Sequence, residues 1–250
     1  MGAILKVAAV GDIHVTKTSQ GALRSLFARA SEQADVLLLC GDLTDYGLPE
    51  EARILAEELG AARLPVVGVL GNHDFEVGKP DEVRAILGGA GMTLLDGESV
   101  EIGGVGFAGV KGFAGGFGRG TLGSWGEPAV KAFVQEAIDE ALKLESALAR
   151  LRTPSKVAVL HYAPIRATVA SEPPEIHAYL GSGRLEEPLD RFRVHAAVHG
   201  HAHNGDLEGR TVGGRPVYNV SMSLMARSFP DRPPFRLLEV PVEAAAPGPG

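Results

Sequence analysis

One cysteine, Cys40, is all that this chain of 250 residues contains. It has no intrachain partner, which excludes a disulfide scaffold and fits a reducing compartment, with the cytoplasm as the expected location. Basic residues are in deficit: 24 Lys and Arg stand against 31 Asp and Glu, a formal net charge of -7. That excludes the global positive field of a non-specific nucleic-acid or anionic-membrane binder, so any anionic ligand must be drawn by a local charge. Apolar runs all fall short of the ~18 residues a transmembrane helix needs. No Walker-type GKS or GKT is present, which removes the P-loop ATPase reading. The opening MGAILKVAAV runs into Gly11 and Asp12 without a cleavage spacer and reads as a first strand. Lys6 stands where a myristoylation signal would want Ser or Thr.

What is present is ordinary globular material, 45% hydrophobic and 22% charged. Short apolar runs at 5–10, 36–40, 66–70, 105–110, 156–160, 195–198, 216–220 and 236–240 read as strands. Between them, Leu23, Leu26, Phe27 and Ala30 recur at helical spacing, and 49–59 and 128–151 repeat the pattern with a proline in the first turn. This alternation predicts an α/β fold. The stretch 93–110 has strand-like runs and no helix, predicting hairpins or a meander and therefore mixed sheets. The glycine-rich stretch 109–126 predicts a mobile surface loop, and 169–183 a second one. As a lid, the first would offer Lys111, Phe113, Phe117, Arg119 or Trp125 to a ligand. Residues 1–243 are expected to form a single domain, and 244–250 a frayed tail.

Polar clusters sit just after the predicted strand ends, where open α/β sheets place ligands. They are Asp12 and His14 in GDIH, Asp42 and Asp45 in GDLTD, Asn72, His73 and Asp74 in GNHD, His161 in LHYAP, and His201 and His203 in GHAH. Asp12/His14 and His201/His203 are each two residues apart, so an extended backbone would aim each pair at one centre. Imidazole, carboxylate and amide donors without thiolate suit Mn, Fe, Zn, Ni or Co. Two GxGxxG matches, at 104–109 and 118–123, lack the strand, turn and helix context of a dinucleotide site, so no nicotinamide cofactor is expected. His199 reads as a buried core histidine or a support for the cluster. His177 and His195 read as structural or surface residues, and Cys40, within VLLLC, as a small buried core residue.

In this order, the five clusters resemble the calcineurin-like metallophosphoesterase family, whose pattern is DxH, GDxxD, GNH[DE], a lone His and GHxH. The resemblance spans Asp12 to His203. It implies a four-layer α/β/β/α sandwich of two mixed sheets flanked by helices, with a pair of divalent or Fe-type metal ions. One ion would lie on Asp12, His14, Asp42 and His203, and the other on Asp42, Asn72, His161 and His201, with Asp42 bridging. It further implies hydrolysis of a phosphate ester by a hydroxide shared between the ions, phosphodiesters being favoured. His73 would act as acid or phosphate-binding residue and Asp45 would orient it. Asn72, His73 and Arg166 are the expected substrate contacts. Other readings are a phosphomonoesterase, a nuclease whose partner subunit supplies the basic surface, and a metal-bearing scaffold without catalysis.

Overall fold

Strand β1 (Ala3–Val10) alternates faces in the way a strand buried on both sides must. Val7 and Ala9 enter one apolar cluster and Ala8 and Val10 another. The computed structural model describes residues 3–243, so the tail expected at 244–250 lies outside them. Helix α1 (Arg24–Gln33), strand β2 (Val36–Cys40), helix α2 (Pro49–Leu59) and strand β3 (Val66–Val69) follow in βα alternation. Proline opens α2, and the Glu51 carboxylate accepts the Tyr46 and Leu48 N–H groups at its start.

Helix α3 (Pro80–Gly89) is not marked by the periodicity reading. Its apolar face is thin, with Val83 and Leu87 as its buried residues, and its start signals are Pro80, Asp81 and Glu82. The stretch 93–110 divides between the two sheets and is not one meander. Strand β4 (Thr93–Leu94) pairs with β3, while β5 (Glu98–Ile102) and β6 (Val105–Val110) form an antiparallel hairpin. Gly103 and Gly104, at φ 57° and 83°, make its two-residue turn. Helix α4 (Pro128–Arg150), β7 (Lys156–Leu160), short helices α5 (His177–Leu180) and α6 (Glu186–Arg191), β8 (Ala196–His199), β9 (Glu208–Arg210), β10 (Pro216–Asn219), α7 (Met222–Ser228) and β11 (Arg236–Val242) complete the chain.

Two mixed sheets result, in the orders β11-β1-β2-β3-β4 and β5-β6-β7-β8-β10-β9. One apolar layer lies between the first sheet and α1 to α3, a second between the sheets, and a third between the second sheet and α4 and α6. This is the expected four-layer sandwich. Cys40 and Phe107 meet in the middle layer, each fully buried. Truncating such a phenylalanine costs about 3–5 kcal/mol. Because β1, β2 and β3 are mutually parallel, as are β7 and β8, their carboxyl ends gather at one edge of the sandwich.

Neither expected loop is wholly a loop. Val110 ends β6, Gly115 and Gly116 donate N–H bonds to the carbonyls of Ala178 and Gly181, and Phe117 is buried. Exposure begins at Gly118, and Trp125 is the open tip. The stretch 169–183 contains α5 and the 3-10 turn Pro174–Ile176. Glycines that pair with backbone pack closely, which composition alone does not convey.

Candidate metal centre

All five clusters come together at that shared edge, although not by the extended geometry expected for the i, i+2 pairs. Asp12, His14, Asp42 and His201 adopt positive φ, at 56°, 41°, 48° and 69° in that order. Such a conformation costs a non-glycine residue on the order of 1–3 kcal/mol and persists where surrounding bonds impose it. Here Asp12 N–H donates to the Gly41 carbonyl, His14 N–H to the Asp42 carbonyl, and His201 N–H to both Asp12 carboxylate oxygens at 2.9 and 3.0 Å. A left-handed turn just past each strand folds the side chain back over the sheet edge.

Neighbouring glycines permit this closeness. A Cβ on Gly71 would lie 2.1 Å from Asp42 Oδ1, and one on Gly41, itself at φ 78°, 2.4 Å from His161 Nδ1. The buried Asp74 carboxylate joins the loops after β2 and β3 by accepting from the N–H groups of Leu43, Thr44 and Gly71 and from the Thr44 hydroxyl. The sequence places Asp74 in the GNHD cluster without giving it a role. Its partners lie up to 31 residues away, so no local signal identifies this role.

Two groups of donor atoms lie on either side of Asp42, Asp12 with His14 and His203, and Asp42 with His161 and His201; a third, His14 with Asp45 and His73, adjoins the first. Asp42 turns one oxygen to each side: Oδ2 lies 3.8 Å from His14 Nε2, and Oδ1 3.3 Å from His161 Nε2. Asn72 Oδ1 is 2.9 Å from the same His161 nitrogen. The Nδ1–H of His161 donates to the Cys40 carbonyl at 3.0 Å, which turns Nε2 toward the two oxygens. His14 Nε2 is likewise buried with no hydrogen-bond partner, its Nδ1–H directed to the Asp45 carboxylate at 3.2 Å. Nitrogen and oxygen donor atoms converging this closely match the coordination chemistry of a cation, and the donor set contains no thiolate.

Local electrostatics favour the unprotonated forms of His201 and Asp12 and shift His203 the other way. Burial, reinforced by His161, pushes His201 down to about 3. Burial by itself would raise the Asp12 carboxyl, but the His203 contact, the positive potentials of His161 and His203 and the His201 N–H together hold it far below the usual carboxylate range. The Asp12 contact in turn raises His203.

His73 opens a 3-10 turn after β3, its ring 4.6 Å from that of His14. Its Nδ1–H donates 2.7 Å to the main-chain carbonyl of Asp45, so Nε2 faces the cluster. The Asp45 carboxylate instead meets His14, so Asp45 orients His73 through backbone and not through charge. Arg166 is not brought to the cluster. It lines a cavity of about 660 Å³ with Arg119 and Arg210, and none of the proposed ligand residues lines it. His199 is fully buried between the Gly200 carbonyl and the Thr168 hydroxyl and is pushed down to about 4 by burial. His177 and His195 are half-buried and belong to none of the donor groups. Glu172, which has no sequence signature, accepts the Asn204 N–H at 2.6 Å and anchors the loop carrying His203.

Comparison with known proteins identifies the fold and the family. Over 225 residues, 82% of this chain and 76% of the relative, the sequence is 26% identical to a Synechococcus protein named a probable cyclic nucleotide phosphodiesterase. The fold resembles phosphopantetheinyl hydrolase from Mycobacterium tuberculosis, with a TM-score of 0.68 at 17% identity over 95% of this chain and 97% of that one. It also resembles the TT1561 protein of Thermus thermophilus, with a TM-score of 0.56 at 15% identity over 96% and 100%. Among the described residues no helix is long and apolar enough to cross a membrane. The family model for calcineurin-like phosphoesterases matches residues 5–205, the span that carries all five clusters, and the chain belongs to that family.

Proposed function

We propose that this chain hydrolyses phosphate esters, phosphodiesters in preference, at a dinuclear metal centre carried by one domain over residues 1–243. The observation that carries this reading is the pair of donor groups with Asp42 offering one oxygen to each. Asp12, His14, Asp42 and His203 would hold one ion, and Asp42, Asn72, His161 and His201 the other. Both ions would come from Mn, Fe, Zn, Ni or Co, since these nitrogen and oxygen donors accept any of them. When bound, such ions supply Lewis acidity at a phosphoryl oxygen and acidify water to near-neutral pKa.

The remaining work falls to the chain. With Nδ1–H given to the Asp45 carbonyl, His73 presents Nε2 to the cluster and, when protonated, donates to the departing ester oxygen. Its 41% exposure leaves that nitrogen open to substrate. The Asn72 amide, its oxygen turned to His161, keeps its NH2 for a phosphoryl oxygen. The Asp45 carboxylate fixes the His14 ring so that Nε2 points inward. The diester preference draws on the description of the Synechococcus relative.

A panel of bis(p-nitrophenyl) phosphate, p-nitrophenyl phosphate, 3′,5′-cyclic AMP and single-stranded DNA, each with Mn, Ni, Fe or Zn, tests the reading. Metal-dependent turnover fastest on a diester is the expected result. A protein that binds metal and hydrolyses none of them overturns it.

A further inference from the structure

Lys111 follows directly on β6, and its main-chain carbonyl accepts the N–H groups of both His161 and Tyr162, at 3.1 and 3.0 Å. Backbone that any substitution would retain thus ties it to the segment bearing a proposed ligand. The side chain is half-buried, with its ammonium 4.9 Å from the ring centroid of Phe113, 5.4 Å from Tyr162 and 5.5 Å from Phe75. Three rings at this range hold a cation by its attraction to their faces. Two of them are walls of the cluster: Phe75 ends the turn that begins at His73, and the Tyr162 ring lies 4.3 Å from that of His201.

The ammonium has three donors, of which one reaches the Gly112 carbonyl at 2.9 Å. Among the described residues no carboxylate lies within 4 Å of it; the lysine ion pairs are those of Lys79 and Lys143. Glu140, whose potential does reach Lys111, is committed to the Gly112 N–H and to Lys143, both at 2.7 Å. Burial pushes the Lys111 pKa down. A partly desolvated cation beside an anion-processing cluster, with donors to spare and its nearest acid engaged elsewhere, is arranged to receive negative charge from a ligand.

We propose that Lys111 is a specificity-determining residue whose ammonium receives a second phosphate of the substrate, so that the preferred ester carries a diphosphate. The inference rests on the phosphoesterase reading above. The ammonium lies 5.4 Å from the Tyr162 ring and the His201 imidazole 4.3 Å from the same ring, so one aromatic side chain links the cation to a proposed metal ligand. The exposed Phe75, beside the ammonium, leaves room for the remainder of such a ligand.

AMP and ADP differ by the one phosphate at issue and serve as probes. Their binding to Mn-loaded wild-type protein, K111M and K111R is measured by titration calorimetry, with K111Q in place of K111M if the latter fails to fold. Wild type is expected to bind ADP about tenfold more tightly than AMP, the scale of one charge-assisted hydrogen bond. K111M should lose that preference while its AMP affinity stays within about twofold, and K111R should keep most of it. An ADP preference unchanged in K111M, or no preference in wild type, overturns the proposal. A wild type that hydrolyses no ester yet shows a Lys111-dependent ADP preference would sink the hydrolase reading and leave the role of the lysine standing.

Discussion

The main-chain carbonyl of Asp45 accepts the Nδ1–H of His73 at 2.7 Å, whereas the carboxylate of the same residue lies 3.2 Å from His14 Nδ1. One residue therefore orients two histidines through different atoms, and substitution reaches only one of them. Asp45→Ala should leave the His73 tautomer intact and loosen His14, weakening metal affinity about 10- to 100-fold. Asp45→Asn, which keeps an acceptor, should be milder. The metal concentration for half-maximal activation reads this directly. A drop in kcat at saturating metal with no change in that concentration would show that the carboxylate acts on His73 after all.

His73 itself stands outside both proposed ligand sets. His73→Ala should retain metal content and unfolding temperature while losing about 10²- to 10⁴-fold in kcat, the usual range for general acid catalysis. Elemental analysis beside steady-state kinetics separates this from a ligand variant such as His161→Ala, in which both metal content and rate should fall.

Adding one methyl group at Gly71 drives it into Asp42 Oδ1 and the Asp42 main-chain nitrogen, at 2.1 and 2.2 Å. Both atoms belong to the residue that faces the two donor groups, so little can yield. Gly71→Ala should destabilise the protein by about 1–3 kcal/mol and should also reduce the rise in melting temperature that added Mn or Zn produces in wild type. Thermal unfolding with and without metal checks both effects.

Acid should destabilise the metal-free protein through its buried neutral histidines. His199, pushed from 6.5 to about 4 by burial, contributes stability that is fully present above pH 6.5 and is lost as pH falls towards 4, because the unfolded chain binds its proton first. The contribution is of order 3 kcal/mol across that window. His203, raised by Asp12, has the opposite sign: its contribution is present below 6.5 and is lost as pH rises through its folded value. His199→Gln should therefore flatten the fall in unfolding free energy between about pH 6.5 and 4.5 measured in denaturant. An unchanged slope would remove His199 as its source.

Much of this architecture is legible in the chain because its signals are local. Alternating apolar runs such as 36–40, and the proline-led helix at 49–59, occur where the periodicity places them. Helix α3 escapes notice because two buried residues, Val83 and Leu87, make too short a stripe to stand out. The packed half of the glycine-rich stretch escapes for a different reason, since Gly115 and Gly116 are held by carbonyls more than sixty residues away. The ligand clusters are visible as motifs, yet their spacing suggests extended pairs where the backbone turns left-handed.

The sequence by itself determined the strands that read as apolar runs, the helices α1, α2 and α4 and the chemical types of the donor atoms, since these follow from short-range periodicity and side-chain identity. Only the tertiary structure decided which atom of each residue faces the cluster. The Asp45 carbonyl rather than its carboxylate meets His73, His161 Nε2 turns inward because Cys40 takes the other nitrogen, and Arg166 lines a cavity without the proposed ligands. Those choices rest on hydrogen bonds between segments up to 121 residues apart, and chain order alone carries no information about such orientations.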